Sequence, residues 1–260
     1  LYLPQFHPTK RNDEWWGKGF TEWTNVASAK PLFRGHVQPR IPADLGFYDL
    51  RLPETREAQA KLAKEAGLNV PKDWYVDLRR EIVLPQDIEF PIFVKPCNSV
   101  FCDKNEMKVV KSKQDLMEHL LTMKDTFINR SVLLQEYLEI EKEYDFSGIA
   151  AGEKIFIPGV LEKEKIANFE KGVSISGKMH PVEKIPEFKK VISKLKKFLV
   201  SLKYHGMFDM EMNLVNGKLY FGEINFKSGE QSFSYTLSGA NLPDAVVKSF
   251  RKINFTEPTG

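Results

Sequence analysis

The sequence predicts an α+β fold of mainly antiparallel sheet, preceded by a loop-rich N-terminal segment. Three features predict it. Asn216-Gly217 is a strong two-residue hairpin signal between two strand-like runs, Met207–Leu214 and Lys218–Asn225. Pro186–Lys203 places Phe188, Val191, Ile192, Leu195, Phe198, Leu199 and Leu202 at helical spacing with lysines opposite, and Pro186 suits a first turn. The first 50 residues, by contrast, hold Trp15, Trp16 and Trp23, three of the four tryptophans, are rich in Pro and Gly, and show little periodicity.

In chain order, Leu1–Phe6 reads as a short strand and most of 7–52 as ordered loop, a length that is unusual in a compact domain and often functional. Pro53-Glu54-Thr55 opens a helix that runs to about Ala66 and ends at Gly67. Strands are expected at Phe90–Lys95, Val132–Leu138 and Tyr144–Ala151, with Lys154–Leu161 continuing the sheet. Pro96–Lys108 reads as a polar loop, Gln114–Lys124 as a helix and Asn241–Lys252 as a closing helix.

Composition narrows the function. The chain has 260 residues, 42% hydrophobic and 28% charged, enough for one or two domains with a buried core. A net charge of +3 is too small to argue for nucleic acid, while a modest basic excess suits a polyphosphate ligand. No apolar run approaches the ~20 residues of a membrane span. No signal peptide is visible, and a start at Leu1 rather than Met leaves the natural beginning open. Cys97 and Cys102, with no second pair, make a zinc site an unfavoured reading, and a reduced, cytoplasmic setting is expected.

The hairpin carries the chemistry. Glu223 and Asn225 are two apart and project to one face, and pairing across the turn can bring Glu211 beside them. Two carboxylates and an amide oxygen form a hard-oxygen set suited to Mg²⁺. A solvated polar sheet face is the alternative, set against Leu219, Phe221 and Ile224 as the buried side.

From about residue 56 to 252 the chain resembles the ATP-grasp enzymes, among them biotin carboxylase, the carbamoyl-phosphate synthase large subunit and D-alanine–D-alanine ligase. The motifs are FVKP around Lys95, VLLQEYL over 132–138, EYDFSG from Glu143, and the Glu211…Glu223-Ile224-Asn225 set, in which the glutamates stand twelve residues apart. The resemblance implies an ATP-grasp fold of two lobes, about 70–130 and 131–256, within a domain spanning 68–260, and ATP with Mg²⁺ as cofactors. It implies that Lys95 meets the α/β phosphates and that Cys97-Asn98-Ser99-Val100 lies where the family's flexible loop covers them, although this loop lacks glycine. It places Gln135 and Glu136 beside the adenine amine, the backbone of Tyr137 and Leu138 on the adenine edge, and Glu143 on the ribose hydroxyls. Glu141 reads instead as an ordinary surface glutamate. Glu211, Glu223 and Asn225 would hold Mg²⁺, with Asp209 on the same face as an outer group. Relatives carry arginine where this chain has Lys227, which keeps the charge that balances the transferring phosphate but lacks the bidentate fork. Lys171 is a weaker phosphate or substrate contact, and Arg56, eleven residues before Gly67, matches a basic nucleotide contact.

Residues 1–67 resemble a second family, the WbsX-type glycosyltransferases, through LYLPQFHP, NDEWWGKGFTEWTNV and PRIPADLGFYDLRLPETREAQAKLAKEAG. A (β/α)₈ barrel, expected in that family, cannot close from so short a stretch, so the two resemblances imply a fusion at the shared helix over 54–68. Trp15, Trp16 and Trp23 either stack on a sugar ring or, as is favoured, pack against neighbouring chain. Glu14 and Glu22 have no fixed separation, and His7 and His36 read as structural. Together these readings imply an ATP-dependent ligase that activates a carboxylate as an acyl phosphate for attack by an amine, in bacterial surface-polysaccharide biosynthesis. Its partners would be ATP and small carboxylate and amine substrates. The alternatives are a nucleotide-binding module without turnover, or a glycosyltransferase fragment in which residues 1–67 are the functional part.

Overall fold

A computed structural model of the chain describes residues 6–36, 38–39, 41, 45–49, 52–97, 107–126, 131–165, 174–184, 186–229 and 231–251. The chain forms two compact units, residues 1–61 with 72–137, and residues 62–71 with 138–260. The expected boundary between lobes at 130/131 differs from this division. The reason is the strand over Ser131–Glu136, which pairs on both sides within the first unit.

In the first unit, two seven-residue helices, α1 (Lys10–Trp16) and α2 (Glu22–Ser28), interrupt the stretch that the sequence suggested was loop. Their stability is local. Thr9 caps α1 by accepting from Asn12 N, and Thr21 and Thr24 form a capping box on α2. Helices this short have too few apolar positions for a 3.6-residue period to stand out. Helix α3 (Pro53–Glu65), whose residues from Leu62 onward belong to the second unit, follows as expected and ends in a Schellman motif, with Gly67 at φ 76°, its N–H on Lys64 O and Leu68 N–H on Ala63 O.

Strands β1 (Asp73–Asp77), β2 (Ile92–Pro96), β3 (Lys108–Val110) and β4 (Ser131–Glu136) form an antiparallel sheet in the order β1-β4-β2-β3. Helix α4 (Lys113–Thr126) packs on it, and Leu116, Leu120 and Met123 meet Val76, Ile92, Val94, Val110, Val132 and Leu134 in one apolar core. The short strands β1 and β3 lie outside the expected set, β3 at the end of a stretch that read as loop.

The second unit is a six-stranded sheet ordered β10-β9-β5-β7-β8, with β6 paired to β5. The strands are β5 (Lys142–Ala151), β6 (Lys154–Phe156), β7 (Val160–Lys165), β8 (Ser174–His180), β9 (His205–Val215) and β10 (Lys218–Asn225). All their pairings are antiparallel. The run expected to continue the sheet over Lys154–Leu161 is two strands, parted at Ile157-Pro158-Gly159, because proline cannot donate to a ladder. Asn216 (φ 48°) and Gly217 (φ 70°) both sit in the left-handed region, the type I′ turn that their identity demands.

Helix α5 (Pro186–Ser201) covers one face of this sheet. Phe188, Val191, Ile192, Leu195 and Leu199 are buried against Tyr144, Phe146, Phe208, Met210, Met212 and Leu219. β5 is central, with every residue from Tyr144 to Ala150 buried, so its other face must also be covered. Part of that cover comes from α6 (Ser232–Leu237) and α7 (Leu242–Phe250), whose Tyr235 and Leu242 join Ile149 and Leu161. Among the described residues no helix is long and apolar enough to cross a membrane.

Candidate functional site

Alternation along β5 and β9 separates apolar from polar. Tyr144, Phe146, Met210 and Met212 enter the α5 core, so Glu143, Asp145, Ser147, Asp209, Glu211 and Asn213 share the opposite face. Register aligns them across strands: Asp145 stands opposite Glu211, Ser147 opposite Asp209, and Glu143 opposite Asn213.

The second hairpin strand adds Glu223 opposite Glu211 and Asn225 opposite Asp209, through a register shift between Phe221 and Glu223. The shift decides the site. Without the extra residue, Gly222 would face Glu211 and Glu223 would face Met210, on the core side. The bulge turns Glu223 to the polar face. Gly222 suits it, since a Cβ there would press within 3.2 Å of Glu211 O.

The acidic residues differ sharply in environment. Asp145 is fully buried and Asp209 nearly so, whereas Glu223 is exposed and Glu211 half-buried. Lys163, on β7, sets its ammonium 2.9 Å from Asp145 Oδ1 and 3.2 Å from Glu211 Oε1, with only 10% of its side chain exposed. Neither Asp145 oxygen makes a hydrogen bond of good geometry, so the ion pair is its main compensation. Asp209 accepts a short hydrogen bond from Ser147 Oγ. Gly229 crosses so close to the Asp209 carboxylate that a Cβ there would overlap it. Tyr235 Oη donates to Asp145 O at 2.9 Å and accepts from Ser147 N at 3.1 Å, pinning β5 to α6. Glu223 Oε1 accepts from Asn225 Nδ2 at 2.8 Å.

Burial pushes the Asp145 carboxyl up from 3.8 to about 7, with Lys163 pulling against it and Asp209 and Glu211 adding to the rise. Asp209 is also raised, chiefly by burial, while Ser147, Lys163 and Lys227 oppose and Glu223 adds. Between about pH 4 and 7 native Asp145 holds a proton that the unfolded chain has released, so its favourable contribution is full in acid and is lost as pH rises through 7. Urea stability of the wild-type chain is therefore expected to fall between about pH 4 and 7 relative to Asp145→Asn. Identical pH profiles for the two proteins would contradict this origin.

The remaining expected positions fall as follows. Lys95, on the half-buried face of β2, donates to Gln135 Oε1 at 3.2 Å. It is not sunk in the core, because Ile92, Val94 and Pro96 take the inward side. Glu136 Oε2 accepts from Lys72 N at 3.1 Å, and Tyr137 N donates to Pro91 O at 3.4 Å. Leu138 begins the second unit, and Glu143 is half-buried opposite both Asn213 and Lys163. Glu141 Oε1 accepts from Asn216 N at 2.6 Å and so steadies the hairpin turn, a structural use. Lys227 is exposed. Arg56 lies in α3, but its side chain, all of Lys171, and residues 98–100 of the expected phosphate loop lie outside the described residues.

The structure thus brings Glu211, Glu223 and Asn225 onto one patch of sheet. It adds Asp145, Asp209, Ser147 and Lys163, of which only Asp209 carried a signal in the sequence. Among the described residues no three His, Cys, Asp or Glu side chains converge as a ready metal cage. Glu211 engages Lys163 and Glu223 engages Asn225, both through contacts that an arriving cation would compete for. The donor set is nonetheless of the oxygen type Mg²⁺ takes, and Mg²⁺ ordinarily draws part of its shell from water and phosphate. Trp23 packs on Phe6 and Tyr48 and donates to Tyr48 O at 2.8 Å, the structural use, while Trp15 and Trp16 are 54% and 60% exposed.

Similarities to known proteins divide along the chain. The family model described as Glycosyltransferase WbsX matches residues 1–88. The uncharacterized protein WxcX of Xanthomonas campestris pv. campestris is 67% identical over 68 residues, 26% of this chain and 10% of that protein. The carbamoyl phosphate synthase large chain of Caldanaerobacter subterraneus subsp. tengcongensis is 26% identical over 184 residues, 69% of this chain and 16% of that one. The chain thus spans only a small part of these relatives. Among solved structures, N5-carboxyaminoimidazole synthetase from Staphylococcus aureus superposes with a TM-score of 0.58 at 17% identity, covering 78% of this chain and 52% of that one. D-alanine–D-alanine ligase from Bacillus anthracis complexed with ATP gives a TM-score of 0.50 at 20% identity, covering 75% and 65%. Over some three quarters of its length the chain therefore has the ATP-grasp fold, joined to an N-terminal stretch similar to the WbsX-type glycosyltransferases.

Proposed function

We propose that the chain is an ATP-dependent ligase of ATP-grasp type, using Mg²⁺·ATP to activate a carboxylate for attack by an amine. The observation that carries this reading is the alignment of Glu223 with Glu211 and of Asn225 with Asp209 across the bulged hairpin. Asp209, opposite Asn225 and engaged by Ser147, would stand behind these donors as an outer group. When bound, Mg²⁺ would neutralise phosphate charge that these carboxylates alone would repel.

The reaction balances simply. A substrate carboxylate oxygen attacks the γ-phosphorus and ADP leaves. The amine then attacks the acyl carbon, the acyl–oxygen bond breaks, and phosphate departs with the proton that the amine nitrogen gives up. The chain's own part is positioning and charge. Glu211, Glu223 and Asn225 would hold the metal, and Lys227 would balance charge on the transferring group. In the other unit Lys95 would meet the α/β phosphates, and the end of β4 with Tyr137 and Leu138 would meet adenine. Glu143 would take the ribose hydroxyls, because a carboxylate can accept from two at once. Arg56 and Lys171 keep their proposed phosphate roles. The match of residues 1–88 to a glycosyltransferase family supports a setting in bacterial surface-polysaccharide assembly.

The test is a screen of carboxylic acids and amines for phosphate release from ATP by the full chain. Release that needs both an acid and an amine supports the reading, and ATP binding without release under any pair supports a non-catalytic nucleotide module. Lys95→Ala is expected to raise the KM for ATP about tenfold or more, since a charge-assisted hydrogen bond contributes about 1.5–3 kcal/mol. Wild-type ATP kinetics in that variant would remove the role.

A further inference from the structure

We infer that Lys163 is a positioning residue for Glu211, held in place by Asp145; this deepens the proposed metal reading and rests on it. Lys163 stands on β7 with β5 between it and β9, yet its ammonium reaches both Asp145 and Glu211, at 2.9 and 3.2 Å. Asp145 is wholly buried and, apart from the Lys163 ion pair, its oxygens have no hydrogen bond, and two apolar residues of similar shape would be a cheaper way to fill that space. Serving the neighbouring carboxylate gives the pair a use. Asp145 fixes the ammonium, and the ammonium fixes Glu211 through Oε1.

The arrangement also rations positive charge. Glu223, Glu211 and Asp145 follow one another across β10, β9 and β5. An unpaired Lys163 would settle on Glu211 and compete with a metal there. Asp145, buried behind it, divides the ammonium's attention and leaves Glu211 available to a divalent ion. Groups one shell out from a metal change affinity by roughly 10- to 100-fold when removed.

Mn²⁺ titrated into the full chain at saturating ADP, followed by loss of the free-ion EPR signal, reads this directly. Asp145→Asn, which keeps the shape, is expected to weaken Mn²⁺ binding about tenfold by releasing Lys163 onto Glu211. The paired variant K163M/D145N strands no buried charge and is expected to weaken it similarly through loss of orientation. Thermal melts confirm that each variant is folded, and the isosteric Asp145→Asn carries the test should the pair fail to fold. In a Glu211→Gln background neither change should weaken Mn²⁺ further, because the effect passes through Glu211. Folded variants with wild-type affinity, or equal weakening in the Glu211→Gln background, overturn the inference and leave the metal reading standing. A wild-type chain that takes up no Mn²⁺ with ADP overturns both.

Discussion

Phe188→Ala is expected to destabilise the second unit by about 3–5 kcal/mol, the range for truncating a large buried aromatic. Phe188 is fully buried in the first turns of α5. Its ring meets Tyr144 at 5.0 Å and 77° and Phe146 at 5.4 Å and 88°, both edge-on. Those two residues lie on β5, the strand whose other face carries Asp145 and Ser147. Neighbours locked in edge-to-face contact cannot collapse fully into the vacated space, so a cavity remains. Urea unfolding followed through amide exchange of β5 measures the loss in this unit alone. A change below about 1 kcal/mol would mean that α5 does not anchor the sheet.

The same residue shows what a sequence can reveal. Phe188, Leu195 and Leu199 announce α5 because helical periodicity is local, and Asn216-Gly217 announces the hairpin because only a type I′ turn wants both residues at positive φ. Glu223 and Asn225 could be placed on one face for the same reason. Lys163 could not be found this way. It reaches Glu211, 48 residues away in sequence (211 − 163), only because β7 pairs β5 and β5 pairs β9. Strands β1 and β3 and helix α6 are too short for a period to register, and although Tyr144 and Phe146 alternate with Asp145 and Ser147 on β5, burial of both its faces is set by the covering helices and not by the strand itself. The bulge did leave a trace. Leu219 and Phe221 are two apart, but Ile224, which joins the same core, breaks the parity, with Gly222 between. Such a switch marks a strand that inserts one residue.

Glu223→Ala is expected to weaken Mg·ATP binding by about a hundredfold or more, beyond the 10- to 100-fold carried by groups one shell out from a metal. Glu223 is exposed, so the truncation opens no cavity, and its thermal stability should match the wild type closely. The two readouts separate a ligand from a structural residue. Unchanged affinity at unchanged stability would remove Glu223 from the metal set.

The measurement that bears most directly on the central claim is anomalous scattering from crystals of the full chain grown with ADP and Mn²⁺. A peak within about 2.0–2.4 Å of carboxylate oxygens of both Glu211 and Glu223 is the predicted result. A peak that neither carboxylate touches, with Glu211 still on Lys163 and Glu223 still on Asn225, would contradict the account.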